Sequence, residues 1–493
     1  MIRVVSRFSI TLPFALLVGC SGTESSPQPG ANTGGTIGTS GTDVVGGTLG
    51  GGADNTGGVL STGGTTSGAL ITGGALSSGG ASPTGGAASA GGVSPTGGAA
   101  SAGGGNCART VGACTAPTAT VTSVTLNAAA QAAAGTSDTA NIPLAIASKP
   151  SGGSRLAWLG TDNNIHVAEL DCGDNLVGTP FTIPGIDLED IYADDSGGVV
   201  LLTRNATNGG TDNCGTGTLC GGTSSPCKAM WLVRFTASGT VQWETQVTNL
   251  SSSLAGYQNG ARFVWWYQHH GRIAFDGTSY AAYFGVAITV NNGSCVDIHE
   301  GDRMQVVGPT GALVAGKGFD FGCSHAWTSR IVWDSRVNQF ITVCATDNSC
   351  RIARSPNYTT VATSTCDNNL FNGDLVNGSA AGYWDAWANA GQVALQHFTT
   401  SGSDTAITGI VSSLHPHLVT YGASNMLLAW GASNTVTAQV RDSGSGALIG
   451  SQFTIAVNEQ PYQAWKSYPD GSVAYPAYST STSVKIARVM PCQ

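Results

Sequence analysis

Histidine, arginine and aromatic residues occur at matching positions in a repeated sequence pattern. The stretches HHGRIAFDGTSYAAYFGV (269–286) and SHAWTSRIVWDSRVNQFITVCATD (324–347) each place histidine shortly before an Arg-Ile pair. Imidazole can bind a transition metal or move a proton near neutral pH, and guanidinium groups bind carboxylates. Aromatic faces stack on sugar rings. Residues of these types are suited to sugar recognition if the fold brings them together.

The elements that must position these residues are short strands. From residue 140 onward there is almost no helical periodicity, and seven units share the order strand, polar turn, apolar strand. Their mean spacing is about 50 residues, as for four-stranded propeller blades. The sequence therefore predicts an all-β, seven-bladed β-propeller, with two stacked β-sandwich domains as the alternative. Residues 118–126 are predicted to supply the last strand of the seventh blade and close the ring.

A propeller would gather residues that are distant in sequence. Segments leading into the innermost strands lie at one face, near the central channel, so we expect a ring of histidine, arginine and aromatic side chains there. The candidate binding residues are His269, His270, Arg272, His325, Trp327, Arg330, Trp384, His415 and His417.

Each of these residues also has a purely structural interpretation. A histidine before a strand can hydrogen-bond to the backbone, and Arg272 and Arg330 can pair with backbone or acidic groups between blades. Asp276 and Asp334 fit hairpin turns, where Asp and Gly favour the required conformations. A transition-metal site formed by converging imidazoles is a further alternative, but no local spacing supports it, and the sequence predicts no metal and no cofactor.

The cysteines predict a disulfide framework. Apart from Cys20, twelve cysteines follow from Cys107 onward, an even number with no CxxC motif. Three sets of partners are suggested by position. These are Cys344 with Cys350 across a turn, Cys214, Cys220 and Cys227 within one Gly/Ser-rich segment, and Cys107 or Cys114 with Cys492 at the ends of the domain.

Residues 1–19 have the form of an export signal. Two arginines precede the apolar stretch FSITLPFALLVG, which is too short to span a membrane, and the segment LVGC ends at Cys20. This segment resembles the lipobox of bacterial lipoproteins. The resemblance implies that Cys20 carries lipid and anchors the chain in the cell envelope. In lipoprotein families that retain proteins by an acidic residue after the cysteine, the non-acidic Ser21 implies the outer membrane or cell surface.

Composition divides the remainder into two parts. Residues 20–105 are rich in Gly, Ser, Thr and Ala with almost no large apolar residues, which predicts a disordered tether. Residues 106–493 form the predicted propeller domain. The net charge of −9 and the 20 Lys and Arg residues argue against nucleic acid as a partner.

Three functions fit these features. The first is a monomeric, membrane-anchored binding module for a glycan or an extracellular protein. The second is an enzyme, either a polysaccharide lyase using His, Tyr and Arg or a glycan hydrolase. The stretch YQHHGRIAFDGTSYAAYFG (267–285) is loosely similar to propeller lyases, although no GxSxG, P-loop or HExxH motif occurs. The third is a structural protein of the envelope. Because no catalytic signature is present, the sequence favours the binding module.

Overall fold

The described part of the chain consists almost entirely of β-strands. The computed structural model describes residues 107–133, 143–209, 227–248, 261–264, 271–292, 295–323, 326–346, 351–363, 371–389, 391–411, 413, 415–460 and 462–493. The predicted signal peptide and tether lie outside these residues. Within the described ranges, no helix is long and apolar enough to cross a membrane.

The strands form seven antiparallel blades. The first contains β2 (Leu144–Ser148), β3 (Ser154–Leu159), β4 (Asn164–Leu170) and β5 (Leu176–Pro184). The second contains β6 (Asp187–Asp194), β7 (Gly197–Arg204), β8 (Cys227–Thr236) and β9 (Val241–Gln246). The third contains β11 (Arg272–Phe275), β12 (Tyr280–Asn292) and β13 (Cys295–Val307). The fourth contains β14 (Ala326–Asp334), β15 (Gln339–Thr346), β16 (Arg351–Arg354) and β17 (Thr359–Thr363).

Three more blades complete the ring. The fifth contains β18 (Phe371–Asn377), β19 (Tyr383–Asn389) and β20 (Gln392–Phe398). The sixth contains β21 (Pro416–Tyr421), β22 (Asn425–Ala432), β23 (Thr435–Asp442) and β24 (Leu448–Ile455). The seventh contains β25 (Lys466–Ser467), β26 (Val473–Thr480), β27 (Ser483–Val489) and β1 (Ala119–Thr125). A short strand, β10 (Ala261–Val264), pairs with β8 and β12, and Ala206–Asn208 form a single 3₁₀ turn.

The ring closes by pairing the first described strand with the last. β1 runs antiparallel to β27, with Ala119 opposite Val489 and Thr125 opposite Ser483. This order confirms the predicted seven-bladed propeller and the predicted role of residues 118–126. Because every other blade is built from consecutive strands, β1 is the one strand in the described ranges that crosses to a distant partner.

The hydrophobic core lies between the blades. Seven clusters of buried side chains each join two neighbouring blades, for example the cluster in which Ile191 and Leu202 of the second blade meet Ala157 and Ile165 of the first. A strand whose side chains belong to two of these clusters is apolar on both faces. For this reason β7 (GGVVLLTR) is buried along its whole length. Burial on both faces explains why many apolar strands lack strict alternation.

The echoed aspartates are turn residues, as predicted. The side chain of Asp276 accepts hydrogen bonds from the backbone N–H groups of Thr278 and Ser279, and Asp334 accepts one from the N–H of Arg336. These contacts fix the hairpins that join the first and second strands of the third and fourth blades. The aspartates of the shared pattern are therefore explained by folding alone.

Two cysteine predictions were tested by the structure. Cys114 is bonded to Cys492, which confirms a bridge between the ends of the domain, and Cys107 is bonded to Cys172. The predicted Cys344–Cys350 pair is wrong, because Cys344 is bonded to Cys323 from the loop before its blade. Cys214, Cys220 and Cys350 lie outside the described residues, as does the side chain of Cys227.

Candidate functional site

Charged side chains from six blades meet in the central channel. The innermost strands begin at one face, here called the top face, and turn into the second strands at the bottom face. Near the start of the innermost strand, most blades carry one charged residue followed by two apolar ones. We call this set the polar ring; it consists of Asp190, Arg272, Arg330, Asp374, His417 and Lys466.

Asp374 is the hub of the polar ring. Its Oδ1 atom lies 3.2 Å from Nε of Arg330 and 3.7 Å from Nη2 of Arg272, and its Oδ2 atom lies 3.5 Å from Nδ1 of His417. Burial opposes ionisation of Asp374, but the contact with His417 and the two guanidinium groups outweigh burial and lower its pKa. Asp374 is therefore a carboxylate shared by three cations.

His417 is held between two carboxylates. Its Nε2 atom lies 3.0 Å from Oε2 of Glu459, and its ring stacks on Trp465 at 5.3 Å between centroids. Burial alone would lower the pKa of His417, but the attraction of Glu459 and the contact with Asp374 raise it to about 9. A buried imidazolium with carboxylates at both nitrogens is a poor general base and cannot bind a metal ion.

The polar ring also connects opposite sides of the channel. Arg272 of the third blade donates a hydrogen bond to the backbone carbonyl of Tyr462, in the loop that leads into the seventh blade. Lys466 of the seventh blade lies 2.7 Å from Oδ1 of Asp190 in the second blade. The third and seventh blades are as far apart as two blades of a seven-membered ring can be, so the contact of Arg272 with Tyr462 crosses the axis. The second and seventh blades are separated only by the first, so the pair of Lys466 and Asp190 lies along one side of the channel. The polar ring therefore narrows the channel at this level.

Burial also tunes other groups at the polar ring. Desolvation and the neighbouring Arg272 lower the pKa of Arg330 to about 9. Desolvation and Asp187 raise the pKa of Glu189, which accepts a hydrogen bond from the N–H of Gly271, to about 7. Burial raises the pKa of Asp385 well above its usual range, although the nearby Arg330 opposes this shift. Because its pKa is about 7, Glu189 is only partly ionised at neutral pH.

A cavity of about 380 Å³ lies on the bottom side of the polar ring. Its wall carries the aromatic side chains of Tyr192, Phe275 and Trp333, together with polar Asn377 and Thr420. Exposure increases from the polar ring toward the bottom face: Arg330 is 1% exposed, whereas Trp333 is half-buried. The cavity is therefore reached from the bottom face, and its volume suits a small ligand.

The predicted site residues divide into three groups. Arg272, Arg330 and His417 meet around Asp374, and His415 lies near the top face with its ring 5.0 Å from that of Tyr462. His269, His270, His325 and the side chain of Trp327 lie outside the described residues.

Trp384 does not reach the channel. It is the second residue of β19 and is buried between the fifth and sixth blades. Its indole N–H donates to the carbonyl of Ser443. The stretch WDAWANAGQVALQHF (384–398) has the predicted order of strand, turn and apolar strand, but it forms β19 and β20, the second and third strands of the blade. The first strand of this blade is β18, with the sequence FNGDLVN. Its Asn, Gly and Asp residues have low β-propensity and are typical of turns, so the sequence does not indicate a strand here.

The residues that sequence reasoning missed are Asp190, Asp374, Glu459 and Lys466. One signal was available for Asp374: it precedes Leu-Val, as Arg330 precedes Ile-Val and His417 precedes Leu-Val. An alignment of the innermost strands on this charged position would have identified Asp374.

One other group of metal-binding residue types occurs among the described residues. Atoms of Asp302, Cys323 and Cys344 lie within 4.8 Å of one another. Because Cys323 and Cys344 form a disulfide, their sulfurs are not thiolate ligands. This group therefore does not form a metal site.

Strand order and site together define a seven-bladed β-propeller protein with a polar ring across its channel. No protein-family model and no curated protein matches the chain. Among solved structures it is similar to the WD40 propeller domain of Doa1 (13% identity, TM-score 0.39, covering 74% of this chain and 96% of that one). It is also similar to the Neurospora crassa Pan2 WD40 domain (13% identity, TM-score 0.38, covering 70% of this chain and 89% of that one). A third similar structure is a Dyadobacter fermentans protein of unknown function (11% identity, TM-score 0.37, covering 75% of this chain and 99% of that one). These scores are low, so the fold assignment rests on the strand pairing.

Proposed function

We propose that this chain is a surface-anchored binding module that holds the end of a glycan in its central cavity. The observation that carries the proposal is the cavity itself, about 380 Å³ with Phe275 and Trp333 in its wall and amide and hydroxyl groups beside them. Aromatic faces bind the apolar face of a sugar ring, and the polar groups bond to its hydroxyls. A protein loop inserted into the cavity is the alternative ligand, and it lacks this chemical match.

The polar ring supports binding rather than proton abstraction. A lyase needs an unprotonated base beside the substrate, whereas His417 is 1% exposed and held as a cation by Glu459 and Asp374. Asp374 is in turn neutralised by Arg272 and Arg330. Among the described residues, the channel therefore has buried charged side chains at the polar ring and aromatic side chains in the cavity wall. This arrangement is suited to binding a ligand.

Trp333→Ala is expected to weaken glycan retention about tenfold, because the variant loses the stacking surface at the cavity. The measurement is affinity electrophoresis of the purified mature protein in gels that contain neutral or acidic polysaccharides. Trp243→Ala is the matched control, since Trp243 is also half-buried but lies on the outer strand β9. Equal loss in both variants would place binding elsewhere. No retention on any polymer would leave the protein-ligand alternative.

The membrane part of the proposal rests on the lipobox-like segment LVGC at 17–20. Two acyl chains on Cys20 would anchor the module stably, whereas one chain would be marginal. The Gly-rich residues 21–105 would then act as a flexible tether.

Cys20→Ser is expected to abolish lipid labelling and to release the protein from the membrane fraction of a bacterial host. Metabolic labelling with alkynyl palmitate, followed by fractionation, measures both. Ser21→Ala, one residue away, should leave labelling intact. Labelled protein from the Cys20→Ser variant would rule out this anchor.

A further inference from the structure

We propose that residues 107–118, here called the strap, carry a pulling force from the N-terminal chain into two blades and keep this force off β1. Two disulfides on opposite sides of the place where the ring closes carry the proposal. It rests on the proposed function only for the origin of the force, because a module anchored at Cys20 and holding a glycan is pulled from both ends.

The strap lies on the bottom face and joins the first blade to the seventh. Cys172 lies in the turn between β4 and β5, and Cys492 follows β27, so both are at the bottom end of a third strand. Cys107 is bonded to Cys172, and Cys114 is bonded to Cys492. The strap therefore spans the place where the ring closes and is covalently attached on both sides of it.

Polar contacts position the strap between its two disulfides. Nε of Arg109 lies 2.6 Å from Oδ2 of Asp470, in the turn between β25 and β26, and Nη1 of Arg109 donates to the carbonyl of Cys172. The N–H of Gly112 donates to the carbonyl of Pro491. Such contacts are weak beside a covalent bond, so a force on the strap is taken up by the disulfides.

The strand that the strap protects is β1, which follows it directly. Among the described strands, β1 is the outermost of the seventh blade and pairs with β27 alone. Val124 is the one fully buried residue of this strand. An edge strand with few buried side chains opens at low cost. Without a bond ahead of it, a pull on the N-terminal chain would detach β1 first.

Detachment of β1 would reach the cavity through the seventh blade. Residues 464–467, which lead into and form β25, line the cavity. Val124 packs in the cluster that joins the seventh blade to the first, together with Ala474 of β26 and Ile146 of β2. Loss of β1 would therefore loosen the blade that forms one side of the cavity, and the strap holds this blade in place.

Optical tweezers test the strap on the purified mature protein, with azide-bearing amino acids in place of Ser101 and Val337 as attachment points for DNA handles. Val337 is exposed in the bottom turn of the fourth blade. In the native protein we expect no lengthening until a blade unfolds, because the force passes through Cys107 and Cys172. Release of residues 107–125 would lengthen the chain by up to about 6 nm, at ~3.3 Å per residue. A step of this size at low force in the native protein would overturn the proposal.

Removal of one disulfide supplies a second measurement. In Cys107→Ala/Cys172→Ala the force passes along the strap to the Cys114–Cys492 disulfide. We expect an early step of about 2 nm as residues 107–113 straighten, at ~3.3 Å per residue. Cys323→Ala/Cys344→Ala removes a buried disulfide outside the strap and should show no such step. If the first variant also lacks the step, the polar contacts carry the force and the disulfide does not.

Neither measurement involves a glycan or a membrane. A negative result would therefore overturn the strap and leave the proposed function standing. Conversely, loss of the proposed function in the retention assay would leave the mechanical result unchanged.

Discussion

Replacing Asp374 by alanine is expected to lower the free energy of unfolding by about 3–5 kcal/mol, the usual cost of removing one partner from a buried ion pair. The variant leaves Arg272, Arg330 and His417 facing one another without their shared carboxylate. The effect is large because Arg330 is 1% exposed and cannot be solvated by a small rearrangement. Urea unfolding of the purified mature protein at neutral pH measures it.

Two further variants make this expectation specific. Asp374→Ala combined with Arg330→Met should recover part of the loss, because it removes one uncompensated charge together with its partner. Asp404→Ala should cost less than about 1 kcal/mol, since Asp404 pairs with His397 at an exposed site. A loss below about 1 kcal/mol in Asp374→Ala would mean that the polar ring does not depend on this carboxylate.

Removing the Cys114–Cys492 disulfide is expected to lower the free energy of unfolding by about 5 kcal/mol. The two cysteines are 378 residues apart, and a disulfide that closes a long loop removes most entropy from the unfolded chain. The same bridge holds the segment before β1 beside the C-terminal end of β27, where the N–H of Gly112 donates to the carbonyl of Pro491. Thermal and urea unfolding of the Cys114→Ala/Cys492→Ala variant would measure the loss.

The matched control is Cys323→Ala/Cys344→Ala. This pair is also buried but closes a loop of only 21 residues, so its removal should cost about 3 kcal/mol. If both double variants lose the same stability, loop entropy is not the dominant contribution. If the Cys114–Cys492 variant loses nothing, the paired strands alone keep the ring closed.

Hairpin chemistry made much of the fold predictable. The stretches around Asp276 and Asp334 combine apolar strands with a turn residue that bonds to its own backbone, and both were identified correctly. The closing strand was predictable because the last unit had three strands and the alternating segment 118–126 had no other partner. These features depend on residues close in sequence or on counting strands.

The site was less predictable because its contacts are long-range. Arg272 and Arg330 were identified from the repeat, and the expected pairing of these side chains with groups between blades is found at Asp374 and at the carbonyl of Gly373. Asp374 itself lies in a strand with poor β-propensity, and Glu459 follows the last strand of its blade. No local pattern links residues that the chain brings together from different blades.

Ring closure through β1 has a consequence for how the chain folds. Ala119 and Val489 are paired across nearly the whole domain, so this contact forms only after six other blades have been synthesised. Until β27 has been made, the edge of β1 presents unpaired backbone groups, which favour pairing with other chains. The partly made protein is thus most prone to aggregate just before its last strand is added, and a chaperone that shields strand edges would protect it at that stage.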